Sequence, residues 1–139
     1  MTASAMLIGL ALNAQIISVT QLDKKVRQYD AVFFEVALAG EWENPYLQEE
    51  AALDMILTSP SGKELVLPCF YKSGESGSTS LWEARFTPQE KGKYSYFFRY
   101  SEDGEVASES EPASFRARRG KGQGILHVRD NWTLVYDNG

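Results

Sequence analysis

From Ile16 onward, apolar and polar residues alternate with a period of two, the pattern of half-buried β-strands. In AVFFEVALA, Val32, Phe34, Val36 and Leu38 share one face. In LWEARFT, Trp82, Ala84 and Phe86 point one way while Glu83 and Arg85 point the other. YSYFFRY sets Tyr94, Tyr96, Phe98 and Tyr100 against Ser95, Phe97 and Arg99. Further strands are predicted at IISVTQ, LDMILTS, KELVLPCFY, ASFRARR, ILHVR and TLVYD. Turn chemistry separates them. SPSGK at 59–63 and EDGE at 102–105 read as tight hairpins, and KSGESGSTS at 72–80 reads as a longer Gly/Ser loop. NPYLQEEAAL has room for one helical turn, and Pro68 marks an edge strand or a bulge.

Short strands with turns about every ten residues predict an all-β fold, an antiparallel β-sandwich of about seven to nine strands. Barrel closure stays open, because it shows the same alternation. PQEKGKYSY adds a detail: Tyr94 follows a Gly by two residues and Tyr96 by four. Immunoglobulin-type domains place a "tyrosine corner" at the start of strand F, two residues before a disulfide cysteine. Tyr96 then takes the cysteine position, and Trp82 comes too late in the chain to be the strand-C tryptophan. The expectation is an immunoglobulin-like sandwich without a disulfide.

Composition changes the picture in three places. Seven Phe, seven Tyr and three Trp in 139 residues favour strands. A net charge of −5 speaks against nucleic acid as a partner. Cys69 is the only cysteine, so no internal disulfide or thiolate metal cluster can form, and its setting in LVLPCFY reads as a buried strand thiol. The N-terminal MTASAMLIGLALNAQ has an apolar centre from Ala5 to Leu12 and small residues around Ala14, as a secretory signal does, but it lacks a basic start. It is too short to span a bilayer as a helix. Secretion or export to a periplasm is expected.

Candidate chemistry is sparse. His127 is the only histidine and lies in a predicted strand; no GxSxG elbow accompanies it, so an esterase built on it is the least favoured reading. The carboxylates fall in loops (Glu41, Glu43, Glu49, Glu50, Glu102, Asp103) or point outward from strands, as solvated charge does. The acids around Glu49 and Asp54 do not follow an EF-hand pattern, and neither a metal nor a cofactor is expected. RARRGKGQG at 116–124 precedes a strand rather than a helix, which fits a hinge better than a phosphate loop. The aromatics outside the alternation remain. Trp42 and Tyr46, with Asn44 between them, sit in a predicted loop suited to a domain interface or to sugar rings.

Four landmarks occur in order: Asn44-Pro45-Tyr46, Ser59-Pro60-Ser61-Gly62-Lys63, Phe70-Tyr71 and Arg85-Phe86-Thr87-Pro88. With them the chain resembles, from about Ile16 to its end, the immunoglobulin-like N-terminal domain of unknown function that precedes catalytic barrels in bacterial glycoside hydrolases. The N-terminal pattern gives a signal-like segment at 1–14, and the resemblance implies a sandwich at 15–122 and a linker with a first strand at 123–139 leading into a downstream catalytic domain. The turn signal Asp137-Asn138-Gly139 with no returning strand fits that reading. It also implies that no residue here is catalytic, since the family's acids lie in the barrel. The expected role is a non-catalytic accessory domain that packs on the barrel of a secreted enzyme. Trp42, Asn44, Tyr46, His127, Trp132 and Tyr136 are the expected contact residues. The alternative is a carbohydrate-binding module that holds polysaccharide on Trp42, Tyr46 and Trp132.

Overall fold

A computed structural model describes residues 14–121, 124, 126–129 and 134–136. Twelve strands run through them: β1 (Gln15–Gln21), β2 (Val26–Arg27), β3 (Val32–Ala39), β4 (Ala51–Thr58), β5 (Glu64–Pro68), β6 (Phe70–Gly74), β7 (Thr79–Phe86), β8 (Gly92–Glu102), β9 (Glu105–Glu109), β10 (Ala113–Arg118), β11 (Leu126–Val128) and β12 (Leu134–Tyr136). One sheet has the order β1-β3-β7-β6 and the other β2-β10-β8-β4-β5, with β9 also paired to β8. The short strands β11 and β12 pair with each other. Every pairing is antiparallel except β2 with β10.

The period-two faces form one core between the two sheets. Val32, Phe34, Val36 and Leu38 of β3 and Trp82, Ala84 and Phe86 of β7 are buried from one side. Leu53, Met55 and Leu57 of β4, Tyr94, Tyr96, Phe98 and Tyr100 of β8, and Phe115 and Ala117 of β10 close it from the other. Aromatic rings span the gap: Phe34 meets Tyr96 edge-on at 4.9 Å, and Phe86 meets Tyr94 at 5.3 Å. The polar atoms carried inward are satisfied, as burial demands. The Trp82 indole N–H donates to Ser80 Oγ at 2.9 Å, and that hydroxyl donates to the Leu38 carbonyl at 3.1 Å.

Both tight turns form as read. At EDGE, Glu102 pairs with Glu105 across Asp103 and Gly104, whose φ of 49° and 80° are those of a type I′ hairpin. At SPSGK, Gly62 at φ 88° lets the chain fold back, so that Ser59 N–H donates to the Lys63 carbonyl at 2.8 Å. The helical turn in NPYLQEEAAL is a single one, closed by Ala51 N–H to the Leu47 carbonyl at 3.0 Å.

Three expectations change. KELVLPCFY is two strands rather than one: β5 pairs with β4 up to Pro68, and from Phe70 the chain joins β7 in the other sheet. Proline lacks the N–H that would continue the ladder, so the chain switches sheets there. The Gly/Ser stretch 72–80 is mostly strand, its loop shortened to 75–78. The two sheets hold ten strands among the described residues, because β2 and β9 are too short or too polar to alternate. Leu134–Tyr136 is the returning strand of a hairpin with Leu126–Val128; the turn signal at 137–139 and the signal-like segment 1–13 lie outside the described residues.

Candidate functional site

The antiparallel order gathers the connections 40–50, 75–78 and 103–104 at one end of the sandwich. They are laced together. Gly77 N–H donates to the Gly40 carbonyl at 2.9 Å, Asp103 N–H to the Glu50 carbonyl at 3.1 Å, and Trp42 N–H to Ser76 Oγ at 2.8 Å. Much of the local acid is engaged with backbone. Glu50 Oε2 accepts from the amides of Glu43 and Asn44, each at 3.0 Å, and Asn44 Oδ1 accepts from Tyr46 N–H at 3.0 Å. Glu102 Oε1 accepts from the Tyr100 hydroxyl at 3.0 Å and from Glu41 N–H at 3.1 Å. Glu41, Glu43, Glu50 and Asp103 line an open depression of ≈ 650 Å³ beside Trp42.

The aromatics of this end divide into wall and surface. Trp42 is half-buried, edge-on to Trp82 at 5.8 Å and to Tyr71 at 6.3 Å. Tyr46 leans on Tyr71 at 5.5 Å and is 73% exposed. The Asn44 side chain sets the turn that presents this ring. Leu47 and Phe70 extend the exposed apolar surface. Phe70 and Tyr71 arrive here because the chain changes sheets at Pro68–Cys69. The proline inside that apolar run reads as an edge strand or a bulge, and β5 is the edge strand of its sheet.

His127 lies in β11 and Tyr136 in β12; their side chains, and Trp132 entirely, are outside the described residues. The chain leaves the sandwich after Arg118, next to the Gly92 end of β8, whereas the 40–50 loop sits at the Glu102 end. Eleven residues of β8 separate them, roughly 35 Å of strand.

Burial pushes the Cys69 thiol well above the usual thiol range, and the nearby Asp54 charge adds to this, so it stays protonated. Desolvation raises the Asp54 carboxyl, partly offset by Arg99. Among the described residues no group of three or more His, Cys, Asp or Glu is placed to hold a metal ion, and every buried side-chain polar atom has a hydrogen-bond partner. No helix among them is long and apolar enough to cross a membrane.

The fold has solved counterparts. A candidate glycoside hydrolase from Bacteroides vulgatus superposes on 84% of the chain with a TM-score of 0.60 at 18% identity. The cycloalternan-forming enzyme of Listeria monocytogenes, solved with a pentasaccharide substrate, superposes on 71% with a TM-score of 0.57 at 19% identity. The chain corresponds to 21% of the first protein and 9% of the second. No curated protein matches it in sequence. The family described as "Domain of unknown function (DUF5060)" matches residues 25–101, more than half of the chain, and the chain belongs to that family.

Proposed function

We propose that the chain is a non-catalytic accessory domain of a secreted glycoside hydrolase, an immunoglobulin-like sandwich that packs on the catalytic domain and helps to stabilise or orient it. The observation that carries this reading is the likeness to a minor portion of two much longer chains, one a candidate glycoside hydrolase and one a cycloalternan-forming enzyme. The immunoglobulin-like character draws support from strand order. The sheets run β1-β3-β7-β6 and β10-β8-β4-β5, which in chain order corresponds to A-B-E-D against G-F-C-C′. Tyr94 makes the expected corner: its hydroxyl donates to the Glu90 carbonyl at 3.2 Å and accepts from Glu90 N–H at 3.0 Å. Phe34 on the second strand of that order and Tyr96 on the sixth meet where an immunoglobulin domain has its disulfide.

The separation of the two expected contact regions shapes the reading. A neighbour that touches both the Tyr46 loop and the segment after Arg118 lies along the sandwich rather than off one end. Tyr46→Ala in the longer enzyme tests the loop, because Tyr46 is exposed whereas Trp42 also supports Trp82. The expected result is a lower melting temperature of the catalytic domain with this domain still folded. Unchanged melting and unchanged activity would remove the loop from the contact. Deleting residues 15–122 with no effect on either would remove the accessory role.

A further inference from the structure

Register brings together cations that are scattered along the sequence. On β10, Phe115 and Ala117 point into the core, so Ser114, Arg116 and Arg118 face outward. Arg116 stands opposite Lys93 of β8, and Arg118 stands beside Arg27 of β2. All four are exposed. They form two like-charged pairs in adjacent rows on the outer face of the larger sheet, the rows roughly 7 Å apart along the strand. Lys24 and Lys25 share a surface depression with Arg116 and Arg118.

Like charges set directly opposite on a sheet are unfavourable. Among the described residues none of the four takes part in an ion pair. The ion pairs there join Lys72 to Glu35 and Glu83, and Arg99 to Glu109, and leave this stripe out. The protein has acid to spare, with a net charge of −5, but Glu41, Glu43, Glu50, Glu102 and Asp103 gather at the opposite end of the sheet. Cations concentrated on an acidic protein, with no ion-pair partner among the described residues, suit an anion supplied from outside.

We propose that the stripe of Arg27, Lys93, Arg116 and Arg118 binds a linear anionic glycan, one that carries carboxylate or sulfate groups. The next rows of the same face favour a sugar chain. Ser95 and Ser114 are paired neighbours that offer hydroxyls, and beyond them Arg99 lies over the Phe97 ring at 5.5 Å. Hydroxyls suit sugar, and the guanidinium and ammonium groups suit its acidic substituents. The choice of a glycan over other polyanions rests on the glycoside-hydrolase reading above.

The test is native gel electrophoresis of the 139-residue chain through gels containing polygalacturonate, dextran sulfate or neutral dextran. The expected result is retardation by at least one anionic glycan and none by dextran, weakened by salt. The double variant Arg116→Ser/Arg118→Ser should lose at least about tenfold in apparent affinity while melting no lower than the parent, since it removes like-charge contacts. Should that variant fail to fold, Lys93→Ser supplies the same readout. Retardation by neither anionic glycan overturns the proposal, as does retardation that the variants leave unchanged or that duplex DNA reproduces equally. If the 139-residue chain binds but a longer chain with its following domain does not, the stripe is a domain contact instead. That outcome sinks the glycan site and leaves the accessory role standing, which the melting experiments judge separately.

Discussion

Phe34 and Tyr96 face each other across the two sheets, ring centroids 4.9 Å apart and planes at 62°. Both are buried, and both also touch Phe98 and Phe115, so the pair sits at the centre of an aromatic cluster. Replacing either ring by alanine removes buried area and leaves a cavity, at a cost of about 3–5 kcal/mol. Urea midpoints of Phe34→Ala, Tyr96→Ala and the double variant should show a coupling of about 0.5–1.5 kcal/mol for an edge-to-face pair. Strict additivity would mean that the two sheets are not joined through these rings.

The two core tyrosines of β8 should respond differently to loss of the hydroxyl. The Tyr94 hydroxyl bonds both the amide and the carbonyl of Glu90, whereas Tyr96 packs by its ring. Tyr94→Phe leaves a partly buried amide without its partner and should cost about 1–2 kcal/mol. Tyr96→Phe should stay within about 0.5 kcal/mol of the parent. Equal effects in chemical denaturation would argue against the corner as a distinct structural device.

Gly40 allows Tyr100 to lie across it. A Cβ at Gly40 would stand 2.6 Å from the tyrosine oxygen and 3.0 Å from Cζ. The ring has no room to retreat, because Tyr100 is fully buried and its hydroxyl is held by Glu102. Gly40→Ala should therefore destabilise by about 1–3 kcal/mol, as overpacking does. A variant with the parent's thermal midpoint would show that the end loops yield freely.

Alkaline pH should destabilise the domain. Burial raises the pKa of Cys69 from its ordinary 9.0 and those of Tyr94, Tyr96 and Tyr100 from 10.0; Glu102 adds to the rise at Tyr100. The unfolded chain gives up these protons at the ordinary values while the folded chain retains them. The folded state thus binds more protons in that range, and stability present below pH 9.0 is lost as pH rises. Urea midpoints at about pH 7 and about pH 10.5 should differ in that direction. In the same experiment Cys69 should resist a thiol reagent until the protein unfolds. Rapid labelling of the native chain would place the thiol on the surface.

What the sequence determined by itself was the faces of the long strands and the two tightest turns. Val32 to Leu38, Trp82 to Phe86 and Tyr94 to Tyr100 alternate because a half-buried strand sends successive side chains to opposite sides, a local rule that needs no partner. Asp103-Gly104 and Ser61-Gly62 make their turns through backbone conformations that these residues tolerate. Tertiary structure decided the rest. Pro68 marked an edge strand or a bulge, but only the partners β4 and β7 determine that the chain crosses between sheets there. Trp42 reads as a loop aromatic, yet Tyr71 and Trp82, both distant in sequence, make it part of the wall. Arg27, Lys93, Arg116 and Arg118 become one surface only through the register of three strands. Pairing between strands far apart in sequence depends on which faces bury best together, and no local pattern carries that information.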